Sequence, residues 1–413
     1  MPVRAGSKLR LHLLAMHFHI LGFGAVGRLV SHHLRRTIPP SDSVSIIHKT
    51  SGHARRFLVY HSGNINVERD GLLTESTGFH SEPFEHNMSY SKERGWIATL
   101  PQIESLIVVT KAHQTFNAVK ALAPRLSPNA TIVLLQNGMG IYEKLIHKLF
   151  PNAQRRPHFI LCSNTHGVFI KSSGIPVHTG VGQLEIGIAP DPDGKEFEAS
   201  YRDETVPLYE RALSLDDITR PNDPDEIRYG SLRATVAALT SMEDLRVSWK
   251  PISDMDVAMR RKLVANAAIN TLTALMGCRN GEIIRSESAR GFIMKICVEA
   301  ERVFAAEHAA GARRMLDQFS EQGLNPDNFN VDRLPVGLTK TSLYNEVLRV
   351  AGVTHENISS MLLDLRRGKA TELDYITGYL LTLGQTYGVR MSRTASIHYL
   401  IKARCEIPQD QIL

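Results

Sequence analysis

Cysteine is scarce in this 413-residue chain: Cys162, Cys278, Cys297 and Cys405 are widely spaced and form no CxxC pair. Such spacing excludes a disulfide scaffold and a structural zinc site, no metal ligand set is expected, and the compartment reads as reducing. Long apolar runs are missing too; none approaches the roughly 18 residues of a membrane-spanning helix, so no membrane partner is expected. Aromatic residues make up only 7% and are not interleaved with the basic ones, which speaks against a nucleic-acid surface. Acid is nearly absent from the first 60 residues, where nine Lys/Arg face Asp42 alone. What is present is 43% hydrophobic and 22% charged residues, enough to bury the cores of two or three domains. The acid is concentrated in residues 191–230, where 12 acids against 5 bases give −7 and leave +13 of the overall +6 on the remainder.

Residues 1–18 are basic, acid-free and only briefly apolar, around Leu11–Met16. That is too short for a secretory signal and fits either a mitochondrial presequence or a plain extension. The expected compartment is the cytoplasm, with the mitochondrion as the alternative. After this leader comes an apolar strand, His17–Leu21, then Gly22-Phe23-Gly24-Ala25-Val26-Gly27, then a helical pattern from Arg28. The order strand, G-x-G-x-x-G, helix is that of a dinucleotide-binding turn. The first glycine permits the tight turn, the second lets the backbone approach a pyrophosphate, and the third lets helix pack on strand. The N–H groups of the helix start then face the phosphates.

A second strand, Ser43–Ile47, is followed by His48 and Lys49, with Arg55 and Arg56 beyond, and no acid. An NAD site places Asp or Glu at this strand end to hold the ribose 2′-hydroxyl, whereas cations suit a 2′-phosphate. NADP(H) is therefore the expected cofactor; a solvated basic loop is the alternative. Further strands at 105–110 and 131–135 end in Lys111 and in Gln136-Asn137-Gly138-Met139-Gly140. Parallel sheets bind ligands at such carboxyl ends, so Asn137 is either a ligand contact or a turn residue. More β-like stretches follow at 159–162 and 183–188, then a proline-rich acidic stretch at 190–230 that reads as a solvated loop or insertion. From Leu232 to about residue 406 the pattern is helical. The chain thus reads as α/β: a basic leader (1–18), an N-terminal Rossmann-type dinucleotide-binding domain (19–250) and an all-helical C-terminal domain (251–413).

Two polar rows stand out in the helical half. Lys262, Asn266 and Asn270 are spaced i, i+4, i+8 in an apolar context and share one helix face. They are either a hydrogen-bonded helix contact or a row of donors facing a polar ligand, with an acid catalyst at one end. Asn357, Ser360 and Asp364 are spaced i, i+3, i+7 and suggest a second face. Thr371 then reads as the cap of a further helix, with Glu372 in its acidic first turn.

Taken together, the segments GFGAVG (22–27), VVTKAHQ (108–114), QNGMG (136–140), HTGVGQLEIG (178–187), KLVANAAIN (262–270), CRNGEI (278–283) and NISSMLLDLRRGKATELDYITGYLL (357–381) resemble the ketopantoate reductase (2-dehydropantoate 2-reductase) family, over about residues 17–390. The resemblance implies NADPH-dependent reduction of 2-dehydropantoate to (R)-pantoate, a step toward pantothenate and coenzyme A. It implies a Rossmann domain followed by a helical one, with cofactor and substrate in the cleft between. Lys262 matches the family's catalytic lysine and Glu372 the carboxylate that supports it. Asn137, Asn266, Asn270, Asn280, Asn357 and Ser360 match positions that contact substrate or nicotinamide. Lys49 falls near the residue for the 2′-phosphate, and Lys111 and Gln114 line the cofactor groove. The implied partners are a small 2-keto acid and, as an assembly, a homodimer. Reduction of another branched 2-keto acid, or a non-catalytic dinucleotide-binding sensor or adaptor, are the alternatives.

Overall fold

The computed structural model describes residues 15–84, 88–91, 95–98, 101–321 and 333–407. Of the basic leader, residues 1–14 lie outside this range. The chain divides into two compact units. Of the described residues, one holds those up to Thr110, 117–135 and 150–249; the other holds 111–116, 136–149 and those from Lys250 on. The sequence pattern groups 19–250 together, so the two short segments 111–116 and 136–149 are what the structure moves to the helical side.

The first unit is built on strands β1 (His17–Leu21), β2 (Ser43–His48), β3 (Ile65–Arg69), β4 (Leu72–Ser76), β5 (Phe79–Pro83), β6 (Met88–Ser91), β7 (Gly95–Ala98), β8 (Ile103–Val108), β9 (Leu126–Leu134), β10 (His158–Asn164), β11 (Gly167–Ile170), β12 (Pro176–Gly180), β13 (Leu184–Ile188) and β14 (Val247–Trp249). The main sheet has the order β14-β13-β10-β9-β8-β1-β2-β5. Strands β5 to β10 in that order run parallel, and β13 pairs antiparallel with β10. Parallel strands covered on both faces need continuous apolar runs. Phe18, Ile20, Ile46, Ile107, Val133 and Ile160 supply them, each at most 1% exposed. A smaller sheet, β11-β12-β3-β4, and the β6–β7 hairpin complete the unit. The sequence pattern missed these six short strands, and β5 and β14 of the main sheet as well; β4 shows why, with four of its five residues exposed and hence no alternation to read.

Helices α1 (Ala25–Thr37), α2 (Ser51–His61) and α3 (Ala112–Leu122) follow β1, β2 and β8, and α4 (Ile141–Lys148) follows the QNGMG turn. The acidic stretch is not simply solvated loop. It carries the one-turn helices α5 (Ala199–Arg202) and α6 (Leu215–Ile218) and the start of α7 (Glu226–Thr240), and it buries Phe197, Ile218 and Tyr229. Its acids act locally as acceptors: Asp217 takes the Ser200 N–H and hydroxyl at 2.9 and 2.7 Å. The uninterrupted helical pattern expected from Leu232 is also corrected, since α7 begins at Glu226 and β14 intervenes.

The second unit contains α8 (Ile252–Met276), α9 (Asn280–Arg285), α10 (Glu287–Glu321), α11 (Lys340–Val353), α12 (Ser360–Arg366), α13 (Leu373–Thr386) and α14 (Ser392–Glu406). Small residues let α8 run through its centre: Ala265, Ala267, Ala268 and Ala274 are all buried. The helix stops at Gly277, whose φ of 71° allows its N–H to reach the Thr273 carbonyl. Buried Glu299 of α10 closes the first turn of α14, accepting from the Arg393 N–H, the Thr394 N–H and the Thr394 hydroxyl at 2.8, 2.9 and 2.8 Å.

Histidine gives the first unit an acid-sensitive interior. Burial, as the largest cause, lowers His17, His32, His33, His48 and His158 from 6.5 to about 4. The unfolded chain therefore takes up protons below about pH 6.5 that the folded chain refuses until about pH 4. The stability these neutral rings carry is complete above pH 6.5 and is lost as pH falls toward 4. The melting temperature should drop steeply between pH 7 and 4.5. His48→Phe, placing a third phenyl ring beside Phe23 and Phe57, should flatten that slope. A wild-type melting temperature that stays level across this range contradicts the account.

Candidate functional site

The glycine turn of the first unit has the shape its three positions require. Gly22 has φ +108°, and a Cβ there would lie 2.6 Å from the Thr110 nitrogen. A Cβ on Gly27 would lie 2.0 Å from the Gly22 carbonyl oxygen, so helix α1 packs on the turn with no room for a side chain. At Gly24 nothing stands within 4 Å, which leaves the backbone open to a ligand. No side chain caps α1, and its first turn holds no acid; Ala25 and Val26 open the helix with their N–H groups toward the turn. These residues fit a pyrophosphate. Phe23 packs edge-on against His48 and Phe57, with ring centroids 5.3 and 5.1 Å away, and Arg28 lies 4.5 Å over its face.

That packing corrects one expectation. His48 is 4% exposed and held neutral by burial, so it is not a cation at the end of β2. Lys49, Arg55 and Arg56 are exposed there, around the Thr50 side chain that caps α2 by accepting from the His53 N–H.

All other sequence candidates lie in the second unit. Lys262 and Asn266 are half-buried and Asn270 is buried on α8, on the shared face that their spacing implied. Ion pairs just before the row, at the turn that leads into Lys262, fix that helix. Arg260 binds Asp256 at 2.7 Å and Glu307 of α10, and Arg261 binds Glu346 of α11 at 3.0 Å. Thr273 and Ser359 hydroxyls meet at 2.7 Å and tie α8 to the start of α12.

Glu372 is 8% exposed. Its Oε1 accepts from the Ala112 N–H at 3.0 Å, at the first residue of α3, and its Oε2 accepts from the Asn137 amide at 3.4 Å. It is therefore more than the first-turn acid of α13, and Thr371 is not that helix's cap: the N-cap is Glu372 itself, with no side-chain cap bond. The turn carrying Asn137 is seated on α13 by the Met139 N–H donating to the Tyr375 carbonyl at 2.9 Å. Gly138, at φ +83°, approaches so closely that a Cβ would lie 2.4 Å from that same oxygen.

Lys111 forms an ion pair with Asp364. The i, i+3, i+7 spacing marked Asp364 but gave it no partner, and no local signal could have done so. The expected helical row is itself corrected. Asn357 precedes α12, and its carbonyl accepts the Asn280 N–H at 3.0 Å. Asn357, Ser360 and Gln114 are exposed. Asn280 is buried and donates its amide to Thr354 at 3.0 Å. Its Oδ1, like the Oε1 of Gln136, is buried with no partner among the described residues; such acceptors call for a ligand or water.

A metal centre was not expected from the sequence, yet His17, His19 and Glu82 place ligand atoms within 4.8 Å of one another. Buried Arg125 binds Glu82 at 3.0 Å and His19 at 3.3 Å, so a guanidinium already supplies the positive charge there. Among the described residues no helix is long and apolar enough to cross a membrane.

A parallel-stranded sheet with this glycine turn, joined to a helical unit with a lysine–asparagine row, defines a dinucleotide-binding reductase. A family model described as ketopantoate reductase PanE/ApbA matches residues 18–191, and the corresponding C-terminal model matches residues 254–405. The chain belongs to the ketopantoate reductase family of oxidoreductases. It is 27% identical over 393 residues to a probable 2-dehydropantoate 2-reductase of Schizosaccharomyces pombe, covering 94% of this chain and 95% of that one. The 2-dehydropantoate 2-reductase of Saccharomyces cerevisiae is 24% identical over 371 residues, 88% and 87% of the two chains. In fold it is similar to a probable 2-dehydropantoate 2-reductase from Bacillus subtilis, with TM-score 0.60 and 21% identity over 94% of this chain and 100% of that one.

Proposed function

We propose that this protein reduces 2-dehydropantoate to (R)-pantoate with NADPH, in pantothenate synthesis. The observation that carries the reading is the row Lys262, Asn266 and Asn270 along one face of α8, in a chain of this family. When bound, the nicotinamide supplies a hydride to the C2 carbonyl of the keto acid. Lys262 holds a proton at Nζ and gives it to the carbonyl oxygen as negative charge builds there. Asn266, Asn270, Asn280, Asn357 and Ser360 donate to and accept from the carboxylate and hydroxyl groups of the substrate. Asn137 serves nicotinamide or substrate, and Lys111 and Gln114 line the cofactor groove. The test is oxidation of NADPH with 2-dehydropantoate beside other branched 2-keto acids; equal or better turnover of another keto acid would displace the proposed substrate.

NADPH is proposed over NADH because the end of β2 offers the exposed cations Lys49, Arg55 and Arg56 and no acid. Lys49→Glu should weaken NADPH binding more than tenfold, about 1.4 kcal/mol, and spare NADH. A wild-type enzyme that uses both cofactors equally well contradicts this. A homodimer in the cytoplasm is the proposed state. Light scattering tests the assembly, and a fluorescent fusion of residues 1–18 distinguishes the cytoplasm from the mitochondrion.

A further inference from the structure

Two histidines of the first unit make a hydrogen-bonded chain that the proposed chemistry does not use. His166, just past the end of β10, is 8% exposed, and His178 on β12 is 3% exposed. His166 Nε2 lies 2.9 Å from the Leu245 carbonyl oxygen, and its Nδ1 lies 3.1 Å from the Gly182 N–H and 3.0 Å from His178 Nε2. The two backbone groups decide the tautomer. A carbonyl only accepts, so Nε2 carries the proton; an amide N–H only donates, so Nδ1 must be a bare acceptor. His178 then donates from Nε2. Only a neutral His166 satisfies all three neighbours, since a proton on Nδ1 would face two donors.

What this chain holds is the turn Val181–Gln183 between β12 and β13. The turn is stitched to Thr165: the Thr165 N–H donates to the Gln183 carbonyl at 3.0 Å, and the Gln183 N–H donates to the Thr165 hydroxyl oxygen at 2.8 Å. A Cβ on Gly182 would lie 2.4 Å from the Thr165 carbonyl and 2.6 Å from the Thr165 hydroxyl oxygen, so the two segments meet with no room for a side chain at 182. Both lie at the carboxyl end of β10. In the main sheet the order reverses direction between β1 and β8, which is where a dinucleotide crosses the strand ends. A dinucleotide with its pyrophosphate at the Gly22–Gly27 turn and its adenosine toward β2 would direct its nicotinamide half toward β8, β9 and β10.

We infer that His166 is a positioning residue: a neutral imidazole of a single tautomer that fixes the Val181–Gln183 turn where the nicotinamide half of the cofactor lies. This rests on the dinucleotide reading above. Burial is the main cause that lowers both rings below their ordinary value. For His166, Arg246 and Arg69 add to it and the Leu245 carbonyl opposes it. For His178, His166 and Arg69 add to it, and the Gly180 carbonyl and Asp70 oppose it; His33 also faces His178. A proton forced on at acid pH therefore breaks the chain rather than finding a counter-charge.

The test compares the full-length wild type with His166→Phe and His166→Gln. Glutamine can offer an N–H toward Leu245 and a carbonyl toward Gly182, but it cannot take up a proton near neutrality. Hydrogen exchange of the peptide covering residues 179–185, without cofactor, should be at least tenfold faster in His166→Phe and near wild type in His166→Gln. NADPH affinity, read by its fluorescence, should fall tenfold or more in His166→Phe. Between pH 7 and 5 it should weaken more in the wild type than in His166→Gln, since both share the titration of the cofactor's 2′-phosphate at about pH 6. Unchanged exchange and affinity in His166→Phe, or a lowered melting temperature with normal affinity, overturns the inference. If His166→Phe does not fold, the same pH dependence in His166→Gln as in the wild type overturns it. Should the wild type bind no NADPH, the dinucleotide reading fails by itself, and the exchange comparison still decides whether His166 holds the turn.

Discussion

Lys262→Ala should lower kcat by about 10²–10⁴-fold, roughly 3–5 kcal/mol of transition-state stabilisation. The residue stands half-buried on α8 between buried Leu263 and Val264 on one side and the ion-paired Arg260 and Arg261 on the other. Truncation to alanine suits the helix and leaves both arginine anchors in place, so Asn266 and Asn270 should keep their positions. The glycine turn and Lys49 belong to the other compact unit, and the affinity for NADPH should therefore stay within about threefold, under 1 kcal/mol. The competing reading makes Lys262 a tie between helices. In that case the variant melts at a lower temperature but turns over at nearly the wild-type rate. Steady-state kinetics, NADPH titration and a thermal melt on one preparation separate the two, and a near-normal kcat sinks the catalytic assignment.

What the sequence revealed and what it hid follow from how far apart the interacting groups lie. The G-x-G-x-x-G turn was legible because its geometry excludes any side chain at Gly22 and Gly27, so the constraint is written in the residues themselves. The row on α8 was legible because helical periodicity puts i, i+4 and i+8 on one face. Lys111 with Asp364 and Ala112 with Glu372 are 253 and 260 residues apart, and no local pattern pairs such groups. The charge state of His48 was hidden for the same reason: Phe23 and Phe57, which bury it, come from β1's turn and from α2. Asn357 misled because the i, i+3 spacing to Ser360 continues a helix on paper, while the backbone enters α12 only after the Ser359 cap.

Glu372→Ala should cost turnover by a route that its hydrogen bonds define. The carboxylate meets α3 at Ala112, a helix-start N–H with no partner inside its own helix, where a negative charge is also favoured by the helix dipole. Its other oxygen holds the Asn137 amide nitrogen, which leaves Asn137 Oδ1 as the acceptor offered elsewhere. Removing the carboxylate strands two donors and should lower stability by about 1–3 kcal/mol, while Asn137 loses its fixed amide orientation. Glutamine is the informative substitute. One of its two terminal groups must be an N–H₂, so it can serve Ala112 only if Asn137 turns its own oxygen inward. Glu372→Gln should then melt near wild type yet remain impaired in kcat/KM, because the amide presented by Asn137 is reversed. Two double-mutant cycles locate the effect. If Glu372 works through Asn137, Glu372→Ala and Asn137→Ala together should lose less than the product of the single losses. If it also sets the working state of Lys262, the cycle with Lys262→Ala should show the same shortfall. Full additivity in both cycles, with Glu372→Gln as active as wild type, would leave Glu372 only a helix cap.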